Sequence, residues 1–90
     1  INMFIFDVDN NQLTGYVGGA VSTNILRLNW QNNLLPASAV NTILSECVAN
    51  GVTGPDRLIN VGGTGNAAPT GQGITDKNTL ISRGWAVTTN

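Results

Sequence analysis

Apolar residues fall at Phe4, Phe6 and Val8, every second position, and the alternation stops at Asp9-Asn10-Asn11. A period of two over so short a run predicts a strand with one buried face, ended by residues that bond their own backbone in turns. The pattern returns 22 residues on. Leu28-Asn29-Trp30-Gln31-Asn32-Asn33-Leu34-Leu35 repeats Phe6-Asp7-Val8-Asp9-Asn10-Asn11-Gln12-Leu13 as apolar, x, apolar, x, x, Asn, x, Leu. The leading position repeats too, since Met3 stands to Phe6 as Ile25 stands to Leu28. A weaker third copy places Ile59 and Val61 at the strand positions with Thr64 where the Asn stood, and Trp85, Val87 and Asn90 give a fourth. Strand starts at Phe6, Leu28, Ile59 and Trp85 are thus spaced by 22, 31 and 26 residues.

The segments between copies carry a different signal. Residues 14–24 contain Gly15, Gly18 and Gly19 without helical period and read as an irregular return, anchored inward by Tyr16, Val17 and Val21. After Pro36, the apolar positions Val40, Ile43, Leu44, Cys47 and Val48 are three and four apart, which predicts a helix capped by Ser38 and closed by Gly51. A glycine-rich loop over 62–73 leads to a second predicted helix, Asp76 to Arg83, capped by Thr75 and closed by Gly84. Asp76 in its first turn and Arg83 in its last would both suit the helix dipole. A unit of one strand and one helix cannot bury its apolar side alone, so units stack and their strands pair in parallel across the intervening crossovers. The expected fold is α/β.

Self-similarity at this period, with the pattern L-x-x-L-x-L-x-x-N-x-L, resembles the leucine-rich repeats over nearly the whole chain. Met3, Phe6, Val8, Asn11 and Leu13, then Ile25, Leu28, Trp30, Asn33 and Leu35, carry the likeness, and Ile59, Val61, Trp85, Val87 and Asn90 carry part of it. Thr64 in place of Asn, Asn66 in place of Leu, and the 31-residue spacing depart from it. The stretch from Gly63 to Pro69 and the terminal residues 84–90 further resemble the closing units of repeat proteins from bacterial surfaces and bacteriophages. The resemblance implies a short right-handed solenoid over residues 1–90, with a parallel sheet of about four short strands on the concave side and two helices plus irregular segments on the convex side. It also implies that the chain is the C-terminal part of a longer array, with a cap at 74–90. Asn11, Asn33 and Asn90 would then be structural, bonding backbone groups of the tight turns.

Composition narrows the function. Of 90 residues, 10% are charged and the net charge is −1, which supplies no basic patch for phosphates and makes nucleic acid an unexpected partner. An Asn-, Thr-, Ser- and Gly-rich polar surface is more usual in secreted, cell-surface or virion proteins, so an extracellular location is expected. No apolar run approaches the roughly 20 residues that span a bilayer, so membrane insertion is not expected. The sequence begins at Ile1, which fits a removed leader or a piece of a longer chain.

Candidate chemistry is sparse. With one cysteine and no histidine, the usual zinc sites are absent and no metal is expected. Asp7-x-Asp9-x-Asn11 has the opening of a calcium loop, but its sixth position is Gln12 where that loop needs Gly, and its twelfth is Gly18 where it needs Glu. Nucleophilic catalysis would have to use Lys77 or a carboxylate as base, and Cys47 lies on an apolar stripe, so no catalytic residue, cofactor or enzyme activity is expected. Gly63-Thr64-Gly65-Asn66-Ala67-Ala68 matches G-x-G-x-x-A, which keeps a small nucleotide-binding enzyme domain using the Gly63–Gly65 loop as an alternative. That motif requires a helix opening inside the glycines, and here Pro69, Gly71 and Gly73 intervene.

What remains is the row of outward strand positions: Asp7, Asp9, Arg27, Asn29, Gln31 and Asn60, with Ala86 and Thr88 beyond. Amide-rich and nearly uncharged, it both donates and accepts hydrogen bonds, and could hold a protein or glycan ligand. A merely solvated face accounts for each residue equally well, because outward strand positions are polar in any half-exposed sheet. The expectation is a non-catalytic structural or recognition module. Its partners would be such a ligand, or neighbouring subunits in an assembly that cover the open strand edge at Phe6.

Overall fold

The computed structural model describes residues 4–16, 18, 25–51, 53 and 56–90. The repeat position at Met3 and the inward anchors Val17 and Val21 lie outside the described residues, as do the side chains of Phe4 and Ile25. The elements run β1 (Phe4–Asp7), β2 (Ile25–Asn29), α1 (Ala37–Asn50), β3 (Leu58–Asn60), α2 (Gln72–Ser82) and β4 (Ala86–Thr88). The strands form one sheet in the order β1-β2-β3-β4, every pair parallel. A chain that steps to the neighbouring strand each time, always with crossovers of one hand, keeps its helices on one side of the sheet. The radius of gyration, 11.7 Å, is that of a compact domain of this length, for which about 12 Å is usual.

The core lies between the sheet and the helices. Leu28 and Ile59 from the strands, with Trp30 and Val61 just past their ends, meet Val40, Ile43, Leu44 and Cys47 from α1 and Leu80 from α2, all at 2% exposure or less. Phe6 and Tyr16 add rings to Trp30, at centroid distances of 5.0 and 5.2 Å. Burial of each large apolar side chain stabilises the fold by about 2 kcal/mol.

Register corrects the fourth copy of the repeat. Phe6 pairs with Leu28, Leu28 with Ile59, and Ile59 with Val87, so Val87 and not Trp85 stands in the column of the strand starts. Trp85 is buried one step before β4 because it completes the end of α2. There the Gly84 N–H bonds the Ile81 carbonyl at 3.0 Å and the Trp85 N–H bonds the Leu80 carbonyl at 3.1 Å. With Gly84 at φ 90°, this is a Schellman ending, and buried Trp85 and Leu80 supply its apolar contact.

Both helix starts also differ from expectation. Helix α1 begins after Pro36, whose carbonyl receives the Ala39 and Val40 N–H groups. Ser38 is therefore inside the first turn, where its carbonyl accepts the Thr42 hydroxyl, and it is not the cap. Helix α2 begins at Gln72, four residues earlier than expected, after Gly71 at φ 48° and ψ −120°. Thr75 does not cap it, and Asp76 lies past its first turn. Gly73 reads as loop punctuation but serves packing: a Cβ there would stand 2.0 Å from Asn41 Oδ1 on α1. The expected closure of α1 by Gly51 is present, at φ 77°.

Candidate functional site

Three columns of asparagine and aspartate side chains build the turn end of the sheet, one per layer. In the inner column, Asn33 Nδ2 donates to the carbonyls of Trp30 and, one layer back, Val8, at 2.9 and 3.0 Å, while its Oδ1 accepts the Leu13 N–H at 3.1 Å. Asn66 makes the same set one layer on, to Gly62 and Trp30, and accepts the Leu35 N–H. The repeat asparagine of the third copy is thus Asn66, not position 64, displaced because the third turn is longer. Asn11 bonds the carbonyls of Val8 and Asp9 but is exposed.

Asn90 departs from this column. Standing three residues after Val87 where Asn33 stands five after Leu28, it lies on the third turn instead. Its Nδ2 donates to the carbonyls of Gly63 and Asn66, and its Oδ1 accepts the Gly63 N–H at 3.1 Å. Leu13 is likewise not a core position. It is 39% exposed, whereas its counterpart Leu35 is 1% exposed with a further layer beneath it.

The outward column holds three of the expected binding residues in register: Asp7 beside Asn29, and Asn29 beside Asn60. Each spends one side-chain oxygen on the N–H two residues on, namely Asp9 at 3.3 Å, Gln31 at 3.1 Å and Gly62 at 3.0 Å. These Asx turns end the strands. The amide nitrogens of Asn29 and Asn60 make no hydrogen bond among the described residues and face solvent-side. Arg27 lies one column back, exposed, beside Leu58. Leu58 and the 58% exposed Ile5 give this face an apolar component.

Asp9 and Gln31 sit beyond the strand ends, in the turns. Asp9 Oδ2 accepts Asn10 Nδ2 at 2.9 Å, Asn10 Oδ1 accepts Asn32 Nδ2 at 2.8 Å, and Asn32 Oδ1 accepts the Thr64 N–H at 2.8 Å. Asn10 and Asn32 hold φ near 60° at the matching corners, a conformation that asparagine tolerates. Gly63 takes that corner in the third layer, where a Cβ would stand 2.1 Å from Asn32 Oδ1. The Asp9 carboxyl titrates above the ordinary range, first through its hydrogen bond with Asp7, then through desolvation and the Asp7 charge.

The Gly63–Gly65 loop gives the nucleotide reading no support. Its N–H groups at Gly63 and Thr64 donate to Asn90 and Asn32, and α2 opens only at Gln72, so no helix terminus meets the glycines. Cys47 is fully buried, and burial, with the Glu46 charge second, pushes its thiol up to about 12. A thiol so protonated is a poor nucleophile. Among the described residues, no group of three or more His, Cys, Asp or Glu side chains could hold a metal ion, and no helix is long and apolar enough to cross a membrane.

A groove of about 270 Å³ opens on the other side of the molecule, between α1 and α2. Asn41, Thr42, Ser45 and Glu46 line it from α1, and Gln72, Gly73 and Asp76 from α2. The sequence carries a signal for it in the polar pairs four residues apart, 41 with 45, 42 with 46 and 72 with 76, which share a helix face. Compared with family models, curated proteins and solved structures, the chain gives no match in any of the three. The molecule is described by its own architecture: an α/β domain whose parallel sheet has helices on one side and a polar, turn-capped face on the other.

Proposed function

We propose that the chain is a short solenoid of the leucine-rich-repeat kind, with residues 74–90 as its cap, acting as a non-catalytic recognition module of a secreted, cell-surface or virion protein. The ligand is a protein or glycan, held on the outward sheet face by Asp7, Arg27, Asn29 and Asn60, with Asp9 and Gln31 at the adjoining turns. One observation carries this reading. The register sets Asp7, Asn29 and Asn60 side by side, at the roughly 4.8 Å spacing of adjacent strands, with oxygens engaged by the backbone and the two amide groups left to donate. Rows of oriented donors beside an apolar strip are what hydroxyl-rich or peptide surfaces require.

The experiment is binding to a glycan array and to immobilised surface proteins. Arg27→Ala combined with Asn29→Asp removes the cation and one donor, and keeps the Asn29 oxygen position that accepts the Gln31 N–H. Binding should be lost while the thermal midpoint stays within about 3 °C; retained binding overturns the proposal. Association along the β1 edge is a second reading, favoured by exposed Ile5 and Leu13. It requires that Ile5→Lys reduce self-association in sedimentation velocity.

A further inference from the structure

We infer that the chain associates head to tail with a second copy of itself, the β4 edge of one copy pairing in parallel with the β1 edge of the next. The inference rests on the β1-edge association raised above and names the surface that covers that edge. Among the described residues, β1 and β4 each have one neighbouring strand, so the sheet ends in two open edges.

The two edges match in phase. Inside the sheet, Val8 donates to the Asn29 carbonyl at 2.9 Å, Trp30 to that of Asn60 at 2.8 Å and Val61 to that of Thr88 at 2.9 Å. Each bond joins an inward residue of one layer to an outward residue of the next. Ala86 and Thr88 spend backbone groups on β3, and Val8 and Asn10 donate toward β2. By alternation along a parallel strand, inward Val87 turns its N–H and C=O to the open side of β4, and outward Ile5 and Asp7 turn theirs to the open side of β1. That is the combination every internal pair uses. A second copy therefore continues the ladder in the register already present, with Val87 against Phe6 and Thr88 beside Asp7.

The core is open at the same two ends. In the inward column Leu28 and Ile59 are fully buried, whereas Phe6 and Val87 are half-buried. At the β1 end Leu13 is exposed, and at the β4 end Ile74 and Ile81 are each 49% exposed. Seven residues apart, these two share a face of α2. That face is the β4 side, because Lys77 between them donates to Thr89 Oγ1 at 2.7 Å, whereas Asp76 lines the groove with α1. Residues 74–90 thus lack the wholly polar outer face of a sealed terminal unit.

Charge selects the direction. Residues 4–16 carry Asp7 and Asp9 and no cation, and residues 72–90 carry Lys77 and Arg83 against Asp76 alone. Pairing β1 with β1 of another copy would set carboxylates against carboxylates, and pairing β4 with β4 would set lysine against lysine. Head-to-tail pairing sets opposite signs together. The contact is heterologous, so each added copy leaves one end of each kind free.

The test is sedimentation velocity of the intact chain at low ionic strength and up to about 1 mM, the range of weak contacts, with two end-blocked variants. Ile5→Lys blocks the β1 end, and Ile74→Glu with Ile81→Glu blocks the β4 end at exposed positions. Each variant alone should need about tenfold more protein to associate. Mixed one to one, they should form a dimer and nothing larger, since each keeps one working end; no dimer in the mixture overturns the inference. A wild-type chain that stays monomeric overturns both this inference and the β1-edge reading. Wild-type association of the Ile74 and Ile81 double variant overturns this inference alone and leaves β1 pairing with β1. Should that variant unfold, an amide NMR dilution series of the wild-type chain takes its place. The Ile5, Asp7, Val87 and Thr89 amides should shift together with concentration, and shifts confined to β1 overturn the inference. Arg27→Ala and Asn29→Asp lie on β2 and leave both edges intact, so the sheet-face proposal fails separately.

Discussion

Asn66 and Trp30 are joined across 36 residues of chain by a 2.8 Å hydrogen bond from the Asn66 amide to the Trp30 carbonyl. Asn33 repeats the bond one layer back, to Val8. Each asparagine thereby ties two turns together and satisfies backbone groups that are buried around Asn66 and buried or half-buried around Asn33. Asn33→Ala and Asn66→Ala should each destabilise the fold by about 2–4 kcal/mol, because the stranded partners lose their bonds while buried. Asn11→Ala should cost only about 0.5 kcal/mol, since water replaces its bonds. Urea denaturation of the three variants measures the contrast; equal losses would mean that the column does not bind the layers.

How much of this was legible follows from what each signal reports. Alternation at Phe6 and Val8, and at Leu28 and Trp30, showed the inward sheet positions, and three-and-four spacing showed α1, because burial imposes those periods directly. Turn chemistry was legible at Asn33 and obscured at Asn66, since one longer turn moves the asparagine relative to its strand while the hydrogen bonds keep their geometry. Gly73 and Trp85 were misread for a different reason. Their roles depend on contacts with Asn41 and with the end of α2, and no local pattern reports a contact between helices. The outward row was legible as a face, but its Asx turns were not, because the same polar residues suit solvent, a turn or a ligand.

Asp7 and Asp9 illustrate that last ambiguity and give it a test. Asp9 titrates above the ordinary carboxylate range chiefly through Asp7. Asp7→Asn keeps an oxygen for the Asp9 N–H and removes the neighbouring charge, so Asp9 should titrate at lower pH, as followed by carboxyl carbon NMR. A raised folded-state value means that the stabilising share is present below the unfolded value and is lost as pH rises through the folded one. The wild-type chain should therefore lose a little stability across that window, and Asp7→Asn should lose less.

Cys47 gives a second pH dependence, at the alkaline end. The unfolded thiol ionises at about 8.5, whereas burial holds the folded one at about 12. Folding is therefore favoured by the neutral thiol below about 8.5, and that share falls away between about 8.5 and 12, because the unfolded chain then binds fewer protons. The urea midpoint of the wild-type chain should drop faster over this range than that of Cys47→Ala. A thiol reagent at about pH 8 should label Cys47 at the rate of global opening, and faster labelling would show that the α1 stripe is accessible.

Gly73 and Asn41 provide a prediction in which the sign of one substitution depends on the residue opposite. Alanine is normally the better helix former by about 1 kcal/mol, so Gly73→Ala on α2 would ordinarily stabilise. Here its Cβ would stand 2.0 Å from Asn41 Oδ1. Asn41 cannot swing aside freely, because that oxygen accepts the Thr70 N–H and its nitrogen donates to Thr70 Oγ1, both at 3.0 Å. Displacing it forfeits two bonds of about 1 kcal/mol each, and Gly73→Ala should destabilise the native protein by about 1–2 kcal/mol once the helix gain is subtracted. In an Asn41→Ala background the obstructing oxygen is gone, and the same substitution should stabilise by up to about 1 kcal/mol. A double-mutant cycle by urea denaturation reads the reversal directly; the same effect in both backgrounds would mean that α1 and α2 do not approach each other at Gly73.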